Sequence, residues 1–234
     1  MTERAIPSPL LLNAVRGSLR PVRPYLPAPL RALALLPVGI VLVVGIPALW
    51  TPRPNLALLG NFAGWGLSAL QMLLGLGLVG LALHDAVPGQ ELSRRTLAAV
   101  VLLGVLLFLA LTVTSEWLAP VPLRRRVWVH EAIGCFRMAA TWGVPAFAIA
   151  AGLSLRASPT RPLVASAVCG LGTGLMTDAG IRLFCGVSTV SHVLVGHGAA
   201  ILLLAVLGAL VGAVADRLRR LPPRGRFLGR SDGA

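Results

Sequence analysis

Polar and apolar positions alternate on a coarse scale along this chain: six long apolar runs are separated by short polar connections. The runs cover Ala32 to Trp50, Leu59 to Leu83, Leu97 to Thr114, Phe136 to Leu155, Leu163 to Phe184 and His192 to Ala215. Each is close to the roughly twenty residues that an α-helix needs to cross the hydrocarbon core of a bilayer. Connections such as TPRPN, VPGQ and ASPTRP consist of turn formers, and none is long enough to be a soluble domain. The pattern predicts an all-α integral membrane protein with six transmembrane helices in a single bundle. It divides the chain into an amino-terminal segment, residues 1–31, a six-helix domain, 32–215, and a basic tail, 216–234. Pro37, Pro47 and Pro145 fall inside runs and predict kinks, which neighbouring helices make tolerable by satisfying the freed backbone groups.

Composition agrees: 56% hydrophobic residues, 12% charged residues and a mean hydropathy of +0.82 exclude a soluble domain of this size. All 21 basic residues are arginine, and the formal net charge is +13. The arginines sit at the ends of apolar runs instead of interleaving with aromatics on a polar module. That placement points to membrane lipids and topology as their partners, and not to direct binding of nucleic acid. The first thirty residues are too rich in proline and arginine for a signal peptide, so the amino terminus is expected to be retained. Counted on alternate sides, 15 arginines share the side of the two termini and 6 lie opposite, with Arg124, Arg125 and Arg126 fitting least well. Both termini are therefore expected in the cytoplasm.

The densest polar chemistry lies between Asp178 and His197, where Arg182, Cys185 and His192 also fall. Ionisable groups within apolar segments are expensive and point to a function. Asp178, Arg182 and Cys185 follow i, i+4, i+7 spacing and share one helix face, so an Asp178–Arg182 ion pair is expected. The topology brings Cys135 and Cys185 to the outer ends of the fourth and fifth helices. His130 and Glu131 precede the first cysteine, and His192 opens the sixth helix. His197 points roughly 140° away from His192 on an ideal helix, so the two do not make the i, i+4 pair of a zinc-binding helix.

Thiolate and imidazole suit zinc, cadmium and copper(I), which makes Cys135, Cys185, His192 and His130 the candidate sensing or metal residues. A structural disulfide, or two satisfied interfacial thiols, competes with that reading. No cofactor is required; a regulatory heavy-metal ion at the cysteine pair is the occupant to look for. Arg182 or Arg137 nearby would favour the thiolate, while Cys169 reads as a small buried hydrophobe. A small transporter or channel is the runner-up. It would need a polar path, for which Ser68, Gln71, Thr112 and the Asp178–Arg182 pair are the only candidates, and they form no continuous route. Ser166 or Ser191 with a histidine is too generic for an intramembrane enzyme, so no enzymatic activity is expected.

Several features occur in order: LRPVRP near the start, GCFRM at the fourth helix, RASPTRP after it, LFCG closing the fifth, and HVLVGH leading into the last. In this the chain resembles the NrsF-type membrane anti-sigma factors, negative regulators of extracytoplasmic-function sigma factors of the sigma F kind. It departs from their pattern at Gly196, where the family often has tryptophan, which weakens any role carried over to His197. The resemblance implies a protein of the bacterial inner membrane that holds a sigma factor inactive until a heavy metal or oxidant reaches Cys135 and Cys185. Residues 1–31 are expected to supply much of the sigma contact. Leu12, Val15 and Leu19 would form one face of a short helix, beside Arg16 and Arg20. A membrane-surface helix would show the same pattern.

Overall fold

The computed structural model describes residues 26–50, 52–53, 62–118 and 129–221, with single positions at 13, 56 and 60. Leu12, Val15, Arg16, Leu19 and Arg20 lie outside the described residues, as does the triple arginine of residues 124–126. Among the described residues all regular structure is helical, and six helices are long and apolar enough to cross a membrane. They are α1 (Ala28–Leu49), α2 (Gly64–Asp85), α3 (Arg94–Leu118), α4 (His130–Arg156), α5 (Pro162–Phe184) and α6 (Val190–Arg220). Most extend beyond the apolar runs because helix continues into flanking polar residues once the backbone ladder is established. For α4 the shift matters: Cys135 is buried within the helix and does not stand at its entrance.

Helix α5 is the least apolar of the six and also the most enclosed, with 83% of its core window buried against 28–44% for the others. This ordering follows from the solvent. Lipid-facing helices must be apolar, whereas a helix wrapped by protein can carry Thr173, Thr177 and Asp178. Small residues permit the enclosure, because helices associate in lipid by close backbone packing. A Cβ built on Gly172 would lie 2.6 Å from the Gly75 carbonyl oxygen of α2, and one on Gly75 would lie 2.5 Å from that of Gly172. On the α6 side, Gly170 meets the backbone of Leu204 and Gly208 meets that of Ser166 at similarly short range.

Prolines reshape α1. The helix turns at Ala34–Leu35 just before Pro37, and a π-helical turn, Val41–Gly45, precedes Pro47. A residue without an N–H interrupts the ladder, and the wider turn absorbs the mismatch. The Leu42 carbonyl in that turn packs against Gly180 of α5. Helix α4 continues through Pro145.

Each end of the bundle is fastened by an arginine. At one, Asp85 Oδ1 accepts from Arg161 Nη2 at 2.5 Å and from the Leu92 amide at 2.8 Å, tying the end of α2 to the start of α5. Glu91 joins the same turn by accepting from Thr160 Oγ1 and the Gly89 amide; amides of its own turn hold its carboxyl below the usual range. At the other end the Arg53 amide donates to the Leu183 carbonyl at 2.9 Å, and its side chain donates to Ser188 Oγ at 3.0 Å. This second clasp encloses the stretch that carries Cys185.

Candidate metal centre

Three elements converge at the Arg53 end. Cys135 comes from α4, Cys185 from the extended link after α5, and His192 from the first turn of α6. The two Sγ atoms lie 3.4 Å apart, and Cys185 Sγ is 3.2 Å from His192 Nε2. All three side chains are buried, and both cysteines are free thiols. The start of α6 is held by Glu116 of α3, whose Oε2 accepts the Val190 amide at 3.0 Å.

His197 joins them, contrary to the expectation from an ideal helix. Residues Val193–Gly198 form a π-helical turn, in which bonding runs from i to i+5, so side chains five residues apart stack instead of diverging. The His192 and His197 rings meet edge to face with centroids 5.5 Å apart. Gly196 lets this turn lie against α4: a Cβ there would be 2.9 Å from the Ala132 carbonyl oxygen. A tryptophan at this position would collide with the same backbone. Ligand atoms of Cys135, Cys185, His192 and His197 all fall within 4.8 Å of one another. His130 is exposed and stands outside this group, and Arg137 is exposed as well.

Behind the four residues lies a buried polar layer built on Asp178. Its Oδ1 pairs with His197 Nδ1 at 2.5 Å, while Oδ2 accepts from Arg182 Nε at 2.8 Å and Gln71 Nε2 at 2.6 Å. Arg182 reaches onward to Thr112 Oγ1 at 2.7 Å and lies over the Phe108 ring at 5.2 Å. Thr112 in turn donates to the Phe108 carbonyl of its own helix. One carboxylate thus links α2, α5 and α6 directly, and α3 through Arg182. The i, i+4 pair expected from the sequence is present, and Gln71 and Thr112, which a transport path would have used, are bonded into it. Cys169, by contrast, is fully buried, with its Sγ 3.8 Å from the Ala150 carbonyl oxygen.

Sequence reasoning missed His197, Gln71, Thr112 and Arg53 as parts of this assembly. The available signal for His197 was a histidine set between two glycines in an apolar run, a costly placement without a partner. For Gln71 it was a lone amide in the middle of an apolar run, with the same implication.

Compared with curated proteins and with solved structures, the chain has no match. The family NrsF, negative regulator of sigma F, matches residues 17–217. That match runs from before α1 into the last turns of α6 and includes every residue of the centre. The chain belongs to the NrsF family of negative regulators of sigma F.

Proposed function

We propose that this protein is a membrane-embedded anti-sigma factor that sequesters an extracytoplasmic-function sigma factor. It releases that factor when Cys135 and Cys185 engage a soft heavy-metal ion or are oxidised. The observation that carries the reading is a buried thiol pair with sulfurs 3.4 Å apart, beside His192, in a chain from a family that negatively regulates a sigma factor. Either signal would bridge the same atoms. A metal ion displaces the two thiol protons, whereas an oxidant takes two electrons and two protons and leaves a disulfide. Both would tie α4 to the end of α5. These helices meet again through the link at residues 157–161, where a change in packing would reach the sigma-binding side.

In this reading both termini are cytoplasmic and the cysteines lie near the outer face of the bacterial inner membrane, as the arginine distribution supports. Fusions at Arg230 to a reporter that is active only when exported test it; activity there would overturn the topology. Docking of the sigma factor is assigned to residues 1–31, with Leu12, Val15 and Leu19 as the apolar contact and Arg16 and Arg20 beside them. Deleting residues 1–24 should leave insertion intact and raise transcription from the sigma-dependent promoter. Replacing Cys135 and Cys185 by serine should leave repression in place but abolish its relief by cadmium or oxidant. Relief that persists in the double variant would overturn the sensing role.

A further inference from the structure

We propose that the sensing residues are half of a closed Cys2His2 site, completed by His192 and His197, that takes one zinc-class divalent cation (Zn2+ or Cd2+). This deepens the reading above by naming the ligand chemistry of the same centre, and it rests on that reading only for its regulatory meaning.

The cage is close to the size that such an ion needs. With metal–sulfur bonds of about 2.3 Å and metal–nitrogen bonds of about 2.0–2.1 Å, tetrahedral ligands stand roughly 3.3–3.8 Å apart. Here the sulfurs are 3.4 Å apart, Cys185 Sγ and His192 Nε2 are 3.2 Å apart, and no ligand atom is more than 4.8 Å from another. His197 is set up as a ligand: Asp178 engages its Nδ1, and its Nε2 is buried without a hydrogen-bond partner of standard geometry. A carboxylate behind a ligating histidine fixes the ring orientation and strengthens the donor. Asp178 is itself held by Gln71 and Arg182, so the ring has little freedom.

Charge favours the same ion. Binding follows M2+ + 2 RSH + 2 His → M(SR)2(His)2 + 2 H+, and two thiolates with one divalent cation are neutral overall. Asp178 and Arg182 behind them also sum to zero, so the centre adds no net charge to an apolar surrounding. Sulfur and imidazole donors reject magnesium and calcium, which take oxygen ligands. A cleft of about 380 Å³ bordered by Trp50, Glu131, Met138 and Phe184 opens directly onto the two cysteines. An arriving ion meets the thiols first and the histidines behind them. With four protein ligands no position is left for substrate, which suits a regulatory ion and not a catalytic one.

The test uses the full chain, purified in detergent, reduced and stripped of metal, with Co2+ as the spectroscopic probe. Wild type should bind one equivalent with the intense visible bands of four-coordinate cobalt and a thiolate charge-transfer band, and Zn2+ should displace it one for one. His197→Gln should retain the thiolate band, lose most of the visible intensity and bind at least ten-fold more weakly. A pale six-coordinate spectrum, no binding by wild type, or a His197→Gln titration matching wild type overturns the proposal. Should that variant fail to fold, X-ray absorption of the wild-type zinc complex decides instead: two sulfur and two nitrogen neighbours are expected, and any other count rejects the site. Repression assays separate this result from the reading above. A four-ligand site in a protein whose repression ignores metal removes the sensing role and keeps the site; a metal-blind protein that still releases sigma on oxidation does the reverse.

Discussion

The two ends of α5 both carry polar side chains, and they use them differently. At the Arg161 end an ion pair with Asp85, reinforced by the Leu92 amide, joins two connecting segments, and Arg161 remains partly exposed. It is a fastening in which Arg161 keeps contact with water while Asp85 is buried. At the Arg182 end, Asp178 and Arg182 are both buried, and the carboxylate also holds a histidine that has a nitrogen to spare. The first arrangement pairs a carboxylate with a guanidinium and leaves Asp85 Oδ2 and Arg161 Nε without a further hydrogen bond. The second sets its spare imidazole nitrogen beside two thiols, the donor set that the proposed metal site would use.

The contrast predicts unequal costs. Asp178→Leu strands a buried guanidinium and should destabilise the protein by about 3–5 kcal/mol, measured by unfolding in detergent. Asp178→Leu combined with Arg182→Leu should recover much of that loss, because an apolar pair in this layer needs no partner. If the single variant loses under about 1 kcal/mol, the layer is hydrated and the distinction between the two ends fails.

Much of this organisation was legible beforehand, for reasons that differ by residue. Six spans followed from run length alone, since lipid allows few structures other than a helix of that length. Asp178 and Arg182 were legible as a pair from i, i+4 spacing on a single regular helix. His197 was not, because its position depends on a π turn, and one added residue per turn rotates everything beyond it. Gln71 and Arg53 were hidden for another reason: their partners lie more than 100 residues away in the chain, and packing between helices has no local signature. Leu12, Val15, Arg16, Leu19 and Arg20 of the proposed sigma contact fall outside the described residues.

A second comparison lies between packed and open glycines of the α2–α5 pair. Gly172→Val places its side chain against the Gly75 backbone, where a Cβ alone would come within 2.6 Å, and should cost about 1–3 kcal/mol or prevent assembly of α2 with α5. Gly77→Val on α2 meets nothing within 4 Å and should stay within about 0.5 kcal/mol of wild type. Equal effects in an unfolding series would mean that α2 and α5 do not pack by backbone contact.

Removing the fastening at the other end should matter less than removing Asp178. Asp85→Ala leaves the Leu92 amide without its acceptor, but Arg161 can hydrate, so about 1–2 kcal/mol is expected. Cobalt binding by this variant should match wild type in stoichiometry and spectrum, because the centre lies at the opposite end of the bundle. A changed spectrum would show that the two ends share one conformational equilibrium.

The smallest effect is expected from Cys169, which tests whether being a thiol is enough. It sits within α5 near the helix α4 backbone, fully buried, and no ligand atom of the centre is part of its surroundings. Its sulfur fills space and makes weak contacts with the Ala150 carbonyl and the Ser154 side chain, the behaviour of a small, weakly polar core residue. Cys169→Ala removes a single heavy atom and should cost at most about 1 kcal/mol through a small cavity. Metal stoichiometry, the thiolate band and relief of repression by cadmium should all stay at wild-type values. Loss of any of these would mean that the signal reads thiols throughout the bundle, and the distinction drawn between the two ends of α5 would no longer identify the responsive one.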